Sequence, residues 1–113
     1  MLKTKTLVKI CGITSIDQAV KVAELGANAI GIISVNESPR YIPPEKKKEI
    51  FKTLKDLYPK IERVSVVKNN SIDSIIKNFS QEPNETIIQL HGDEDIDYCQ
   101  KLKQKVPDVA LWK

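Results

Sequence analysis

The stretch Leu7–Val20, LVKICGITSIDQAV, sets a short β-rich run and a cysteine-glycine pair ahead of a segment with helical periodicity. Leu7-Val8-Lys9-Ile10-Cys11 reads as a strand. Ser15 is placed to cap a helix that continues through Leu25, because a serine hydroxyl can accept from an N–H of the first turn. Ile16, Ala19, Val20 and Ala23 share one face of that helix, and Gly26 ends it. The result is one β-α unit with Cys11 at the strand tip, the end where parallel α/β proteins place their sites.

Working outward, the same unit recurs. Ala29-Ile30-Gly31-Ile32-Ile33 is an unbroken apolar run of strand length, the pattern of a strand covered on both faces. Pro43-Pro44-Glu45 opens a second helix with Ile50, Leu54 and Leu57 as its buried stripe, and Pro59 ends it. Glu62–Lys68 forms a third strand, and Ser71 caps a third helix with Ile72, Ile75, Ile76 and Phe79 inward. Thr86–Leu90 forms a fourth strand, Asp93 or Asp95 caps a fourth helix carrying Ile96, Cys99 and Leu102, and Val109–Trp112 begins a fifth strand.

Strict alternation predicts parallel strands joined by right-handed crossovers, since only a helix-length connection returns the chain to the same end of the sheet. Two α/β architectures satisfy it. One is a (β/α)8 barrel of the TIM type, of which this chain covers about the first four and a half β-α units. The other is a five-stranded, doubly wound sheet of the flavodoxin type. Periodicity does not separate them.

At 113 residues the chain reads as a single domain, long enough to bury one core. Charged residues make up 29% and the formal net charge is +3, mostly from lysines spread over helical segments. The one tight cluster, Lys46-Lys47-Lys48, sits between Glu45 and Glu49 and reads as a solvated helix face; with few aromatics and no continuing basic stripe, no nucleic-acid partner is expected. There is no apolar run of the ~18 residues that spans a membrane and no signal-peptide core, so a soluble, cytoplasmic protein with reduced Cys11 and Cys99 is expected.

Three chemistry-bearing residues fall on the rim formed by the strand C-termini. Cys11 ends strand one; its alternatives are a small buried residue that finishes a strand and a nucleophile or base facing the mouth. A thiol of ordinary pKa, about 8.5, is only about 3% thiolate at pH 7, so a working cysteine needs positive charge or a helix N-terminus nearby. Arg40, in SPRY, is either a surface residue or a planar fork for a carboxylate or phosphate. His91 is the only histidine, and Asp93 and Glu94 beside it are candidate caps or metal ligands.

A zinc site is not expected, since no second histidine exists and Cys99 should face the core. Gly12, Gly26, Gly31 and Gly92 are the only glycines and none cluster, which excludes GxGxxG and Walker loops. No organic cofactor is expected. A flavodoxin-type site also fits poorly, because KICGIT supplies neither paired acids nor a Ser/Thr/Gly-rich loop after strand one.

Four segments, KICGIT (Lys9–Thr14), GANAIGIISVNESPRYIPPE (Gly26–Glu45), IIQLHGDE (Ile87–Glu94) and the terminal LWK, together resemble the phosphoribosylanthranilate isomerase family of tryptophan biosynthesis. The resemblance favours the barrel. It implies a cofactor-free and metal-free Amadori rearrangement of a phosphorylated sugar-anthranilate: an acid opens the ribose ring to a Schiff base and a base removes the C2′ proton. It implies Cys11 as the base, Arg40 as the partner of the anthranilate carboxylate, and His91 as a residue touching the substrate or standing behind one that does.

In one position the chain departs from the pattern. Where the family's third strand usually ends V-F-V-N, Val66-Val67-Lys68-Asn69 puts a lysine in an apolar slot, which either faces the mouth or points outward. The family's acid, an aspartate beyond the fifth strand, and its phosphate loops after strands seven and eight lie outside these residues. The expectation is therefore an N-terminal half of a barrel, residues 1–113, with either self-association or a missing C-terminal half completing it. The alternatives are a non-catalytic half-barrel and a flavodoxin-like module, binding a small anionic ligand or a partner chain.

Overall fold

The computed structural model describes residues 7–78 and 84–113, so the inward placement expected for Phe79 lies outside the described residues. The elements are β1 (Lys9–Cys11), α1 (Ile16–Glu24), β2 (Ala29–Ile33), α2 (Pro44–Leu57), β3 (Glu62–Val67), α3 (Ile72–Asn78), β4 (Ile87–Leu90), α4 (Ile96–Lys105) and β5 (Ala110–Trp112). The Ser15 side chain accepts from Gln18 N, and Asp95, not Asp93, caps α4 by accepting from Tyr98 N. Pro44 opens α2, where a missing N–H costs nothing, and Gly26 at φ +96° ends the turn after α1.

All strand pairings are parallel and the spatial order is β1-β2-β3-β4-β5. That order excludes the flavodoxin-type sheet, which places β1 between β2 and β3. Each strand here lies beside its predecessor, as in a barrel. Among the described residues no helix is long and apolar enough to cross a membrane.

Two apolar clusters lie between helices and sheet. The first packs Ala19 and Ala23 of α1 and Ile50, Phe51 and Leu54 of α2 onto Ile30 and Ile32 of β2. The second packs Ile75 of α3 and Leu102 of α4 onto Val67, Ile88 and Leu90, with Cys99 half-buried at its margin. A third, smaller cluster of Ala29, Val64, Val66 and Ile87 occupies the opposite sheet face.

Three side chains differ from the sequence expectation. Leu57 is 59% exposed and Phe51 takes the buried place, because the inward stripe of α2 runs through 47, 50, 51 and 54. Ile96, in the first residue of α4, is 77% exposed, since it precedes the turn that reaches the core. Lys47 is not part of a solvated face. It is 4% exposed, its Nζ donates to Ser65 Oγ at 3.0 Å and lies 3.0 Å from Glu85 Oε2, and Ser65 in turn meets Ser34 Oγ at 3.3 Å.

This polar group fills the space behind β3 that separates the two apolar clusters. Arg63 shares it, with Nε donating to the Asn84 carbonyl at 2.5 Å and Nη1 to the Ile61 carbonyl at 3.1 Å. Removing one member of a buried ion pair strands the other charge, at a cost of roughly 3–5 kcal/mol. Lys47→Met is therefore expected to lower unfolding free energy by about 3 kcal/mol in urea titrations, whereas Lys48→Met changes it by less than about 0.5 kcal/mol. Equal effects would show that Lys47 carries no structural charge.

Candidate active site

The pairing register lays out the sheet face turned away from the helices. Cys11, Gly31, Val64, Ile87 and Ala110 form one row across the five strands, and Ile33, Val66, Gln89 and Trp112 form the next toward the C-terminal ends. Lys9 Nζ donates to Gln89 Oε1, joining β1 to β4 across this face. The sheet must be curved, and this face is the concave one.

Cys11 is exposed, which sets aside its reading as a buried strand-ending residue. Gly31 beside it is a matter of space: a Cβ there would lie 3.1 Å from Cys11 Sγ and 3.3 Å from Lys9 Cε. The thiol and the lysine stem lean over the position that has no side chain.

At Gly12 the chain turns out of β1 with φ +85°, a conformation that favours glycine. Here too a neighbour occupies the vacant volume, since a Cβ would lie 2.7 Å from Arg40 Nη1 and 2.8 Å from Arg40 Cδ. The arginine reaches Gly12 because the loop after β2 doubles back. Ser38 N donates to the Val35 carbonyl, Arg40 N donates to Ser38 Oγ at 3.1 Å, and Tyr41 pairs with Ile33. Among the described residues no carboxylate lies within ion-pairing distance of the Arg40 guanidinium.

His91 N donates to the Val67 carbonyl at 2.8 Å, which extends the β3–β4 ladder by one bond. Its side chain is exposed and lines a cavity of about 590 Å³ with Ser38, Val66, Lys68 and Asn69. Lys68 thus faces the mouth. Arg40 reaches the backbone of Gly12, the residue after Cys11, and lines a cavity with Ile13, Gln18 and Val22 whose walls do not include Cys11. His91 and Lys68 meet on the other side of the 34–41 loop, in a cavity whose walls do not include Cys11 either.

A hydrogen-bonded group that sequence reading missed ties the loops at this end. Glu94, read as a cap or metal ligand, is neither: its side chain is 1% exposed, Oε2 accepts from Asn69 N at 2.7 Å, Oε1 accepts from Gly92 N at 2.9 Å, and Lys113 Nζ stands 3.6 Å from Oε1. Asn70 Nδ2 donates to the Ser34 carbonyl at 3.3 Å, and Tyr98 Oη donates to the Asn70 carbonyl at 2.6 Å. Loops after β2, β3 and β4 and the residue after β5 are joined.

The environment shifts two of these groups. Burial alone would raise the Glu94 pKa, but the N–H groups of Asn69, Glu94 itself and Gly92, with the Lys113 charge, outweigh it and hold the carboxyl below its usual range. Burial, and then the nearby Glu94 and Cys99, push the Tyr98 phenol up to about 12.

Residues 8–112 match the sequence profile of N-(5'-phosphoribosyl)anthranilate isomerase, nearly the whole chain. The chain belongs to that family. The enzyme of this name from Acaryochloris marina is 42% identical over 109 residues, taking in 94% of this chain and 50% of the relative; that from Gloeothece citriformis is 42% identical over 104 residues, with shares of 92% and 46%. The chain thus spans about half the length of the curated relatives it matches.

Solved structures of the family agree. A structure of mutually generated monomers of the dimeric Thermotoga maritima phosphoribosylanthranilate isomerase superposes with a TM-score of 0.81 at 33% identity, covering 96% of this chain and 52% of that one. A family structure in complex with reduced 1-(o-carboxyphenylamino)-1-deoxyribulose 5-phosphate gives 0.82 at 33% identity, covering 95% and 52%. The TIM-barrel type is thereby established for the five strands.

Because the folded pKa of Glu94 is depressed, its contribution to stability is fully present above the unfolded carboxylate value, about 4.3, and is lost as pH falls through the folded value. Tyr98, pushed up to about 12, stays neutral over that range. Urea midpoints measured from about pH 5 down to about pH 3 are expected to fall more steeply for the wild type than for Glu94→Gln. Parallel pH profiles would remove Glu94 as the source of the acid sensitivity.

Proposed function

We propose that this chain supplies the catalytic base and the carboxylate clamp of a phosphoribosylanthranilate isomerase. The reaction is the Amadori rearrangement of N-(5′-phosphoribosyl)anthranilate to 1-(2-carboxyphenylamino)-1-deoxyribulose 5-phosphate. One observation carries the reading: the loop after β2 brings Arg40 over Gly12, the residue that follows the exposed Cys11, at the C-terminal rim of a parallel sheet. A base and an anion-binding fork then belong to neighbouring loops of one rim.

In that arrangement an acid protonates the ribose ring oxygen, the ring opens to a Schiff base, and the Cys11 thiolate takes the proton from C2′ to give the enolamine that becomes the ketose. Arg40 holds the anthranilate carboxylate through two parallel hydrogen bonds, which fixes the distance from C2′ to the thiolate. His91, after β4 and beside Lys68 after β3, borders the substrate or a residue that contacts it. The complex of a relative with a reduced product analogue supports a phosphorylated sugar-anthranilate as the substrate class.

The acid and the phosphate loops of such a barrel come from units beyond the fifth strand. Residues 1–113 then act as one unit, the first half of the barrel, completed by a C-terminal half or by a second copy, and the reaction takes place in the cytoplasm, where both thiols stay reduced. That the Thermotoga maritima relative is dimeric supports association.

With the units beyond the fifth strand of the Thermotoga maritima relative joined after Lys113, the protein is expected to consume phosphoribosylanthranilate, followed as loss of anthranilate fluorescence. Cys11→Ala in that protein should lower kcat by about 100-fold or more with little change in KM, since a positioned base acts in the transition state. Retained turnover would retire Cys11 as the base. Arg40→Lys should raise KM, because a point charge cannot reproduce a bidentate contact, and the loss should vanish for a substrate lacking the carboxylate.

A further inference from the structure

We propose that Glu94 is a positioning residue for this site: its carboxylate binds the backbone after β3 to the backbone after β4 and so sets where Lys68 and His91 stand. The role in catalysis rests on the isomerase reading above; the tie itself does not.

The last ladder bond between the two strands is His91 N to the Val67 carbonyl. Beyond it the strands part toward α3 and α4, and backbone groups leaving a sheet edge are ordinarily held only by water or by weak local contacts. Here the two oxygens of one buried carboxylate take one N–H from each loop, Asn69 N at 2.7 Å and Gly92 N at 2.9 Å. The pairing is reciprocated by Asn69 Oδ1, which accepts from Asp93 N at 2.8 Å.

Two local features allow this approach. Asn69 holds φ at 52°, a left-handed conformation that asparagine tolerates better than other residues with a side chain. Gly92 has no space for a Cβ, which would lie 2.6 Å from Asn69 Oδ1. The pinned residues are the immediate neighbours of the cavity-lining pair: Lys68 precedes Asn69, and His91 precedes Gly92. Whatever fixes those two amides therefore fixes both side chains at their Cα atoms.

Hydrogen bonds to a charged acceptor are the strong ones, worth roughly 1.5–3 kcal/mol, and an amide in place of the carboxylate keeps one acceptor but turns an NH2 toward the other donor. In the 113-residue chain, Glu94→Gln is expected to speed hydrogen exchange at the Asn69 and Gly92 amides by about tenfold or more beyond any acceleration at Val64 and Ile88, which report the overall stability. His91 is the only histidine, so its ring gives a single set of imidazole signals, and these should shift and broaden.

Unchanged exchange at both amides with an unmoved His91 ring would overturn the proposal, and so would acceleration shared equally by Val64 and Ile88, which marks a general loss of stability. Should Glu94→Gln not fold, Lys113→Met removes the exposed partner of the carboxylate, which also donates to the Gly92 carbonyl at 3.0 Å, and a smaller acceleration is expected at the Asn69 amide, which Lys113 does not touch; none there would overturn the tie. Neither readout uses the reaction. An inactive chimera would overturn the isomerase reading alone.

Discussion

A parallel strand set directly beside its predecessor can be reached only by a crossover over one face of the sheet, and crossovers of one hand keep to that face. Repeating the step from β1 to β5 puts the helices on the convex side and leaves the concave side to strand residues alone. The consequences spread from there. The ends of all five strands face the same way, so the loops that follow them form one rim, and short side chains on the concave rows decide how much room that rim encloses.

The convex side divides at β3. Two of its helix-facing residues, Arg63 and Ser65, are polar where those of β2 and β4 are isoleucine and leucine, and Lys47 and Glu85 meet them. A charged group in that place contributes little net stability over an apolar one of equal shape, but it tolerates only one arrangement of its partners. It also touches the rim: Ser65 reaches Ser34, the first residue of the loop that delivers Arg40 to Gly12.

The order and kind of the elements were legible in the sequence because the apolar runs alternate between strand length and helical spacing, and Ser15, Gly26 and Pro44 act as punctuation through local chemistry. Spatial order was not, since periodicity carries no information on which strands are neighbours; the shared motifs KICGIT and QLHGDE pointed to the barrel. The burial of Lys47 had a signal, its place on the stripe with Ile50, Phe51 and Leu54, but residue type argued against position. Glu94 had none, because its partner Asn69 lies 25 residues away and the pair forms only once two loops converge. Cys11 and Arg40 stood out singly, and the reach of Arg40 over Gly12 required the loop geometry.

The contact between Lys9 and Gln89 gives the sheet a property that backbone pairing alone does not. Backbone ladders fix the spacing of neighbouring strands but leave the curvature of the whole sheet soft, free to flatten or coil by small changes of twist. A side chain that spans from the first strand to the fourth acts as the string of a bow: it holds the arc at one chord length while the strands between bear the bend. Gly31 and Val64, beneath that chord, leave it a clear path. Flattening the arc would have to break that polar contact across the concave face.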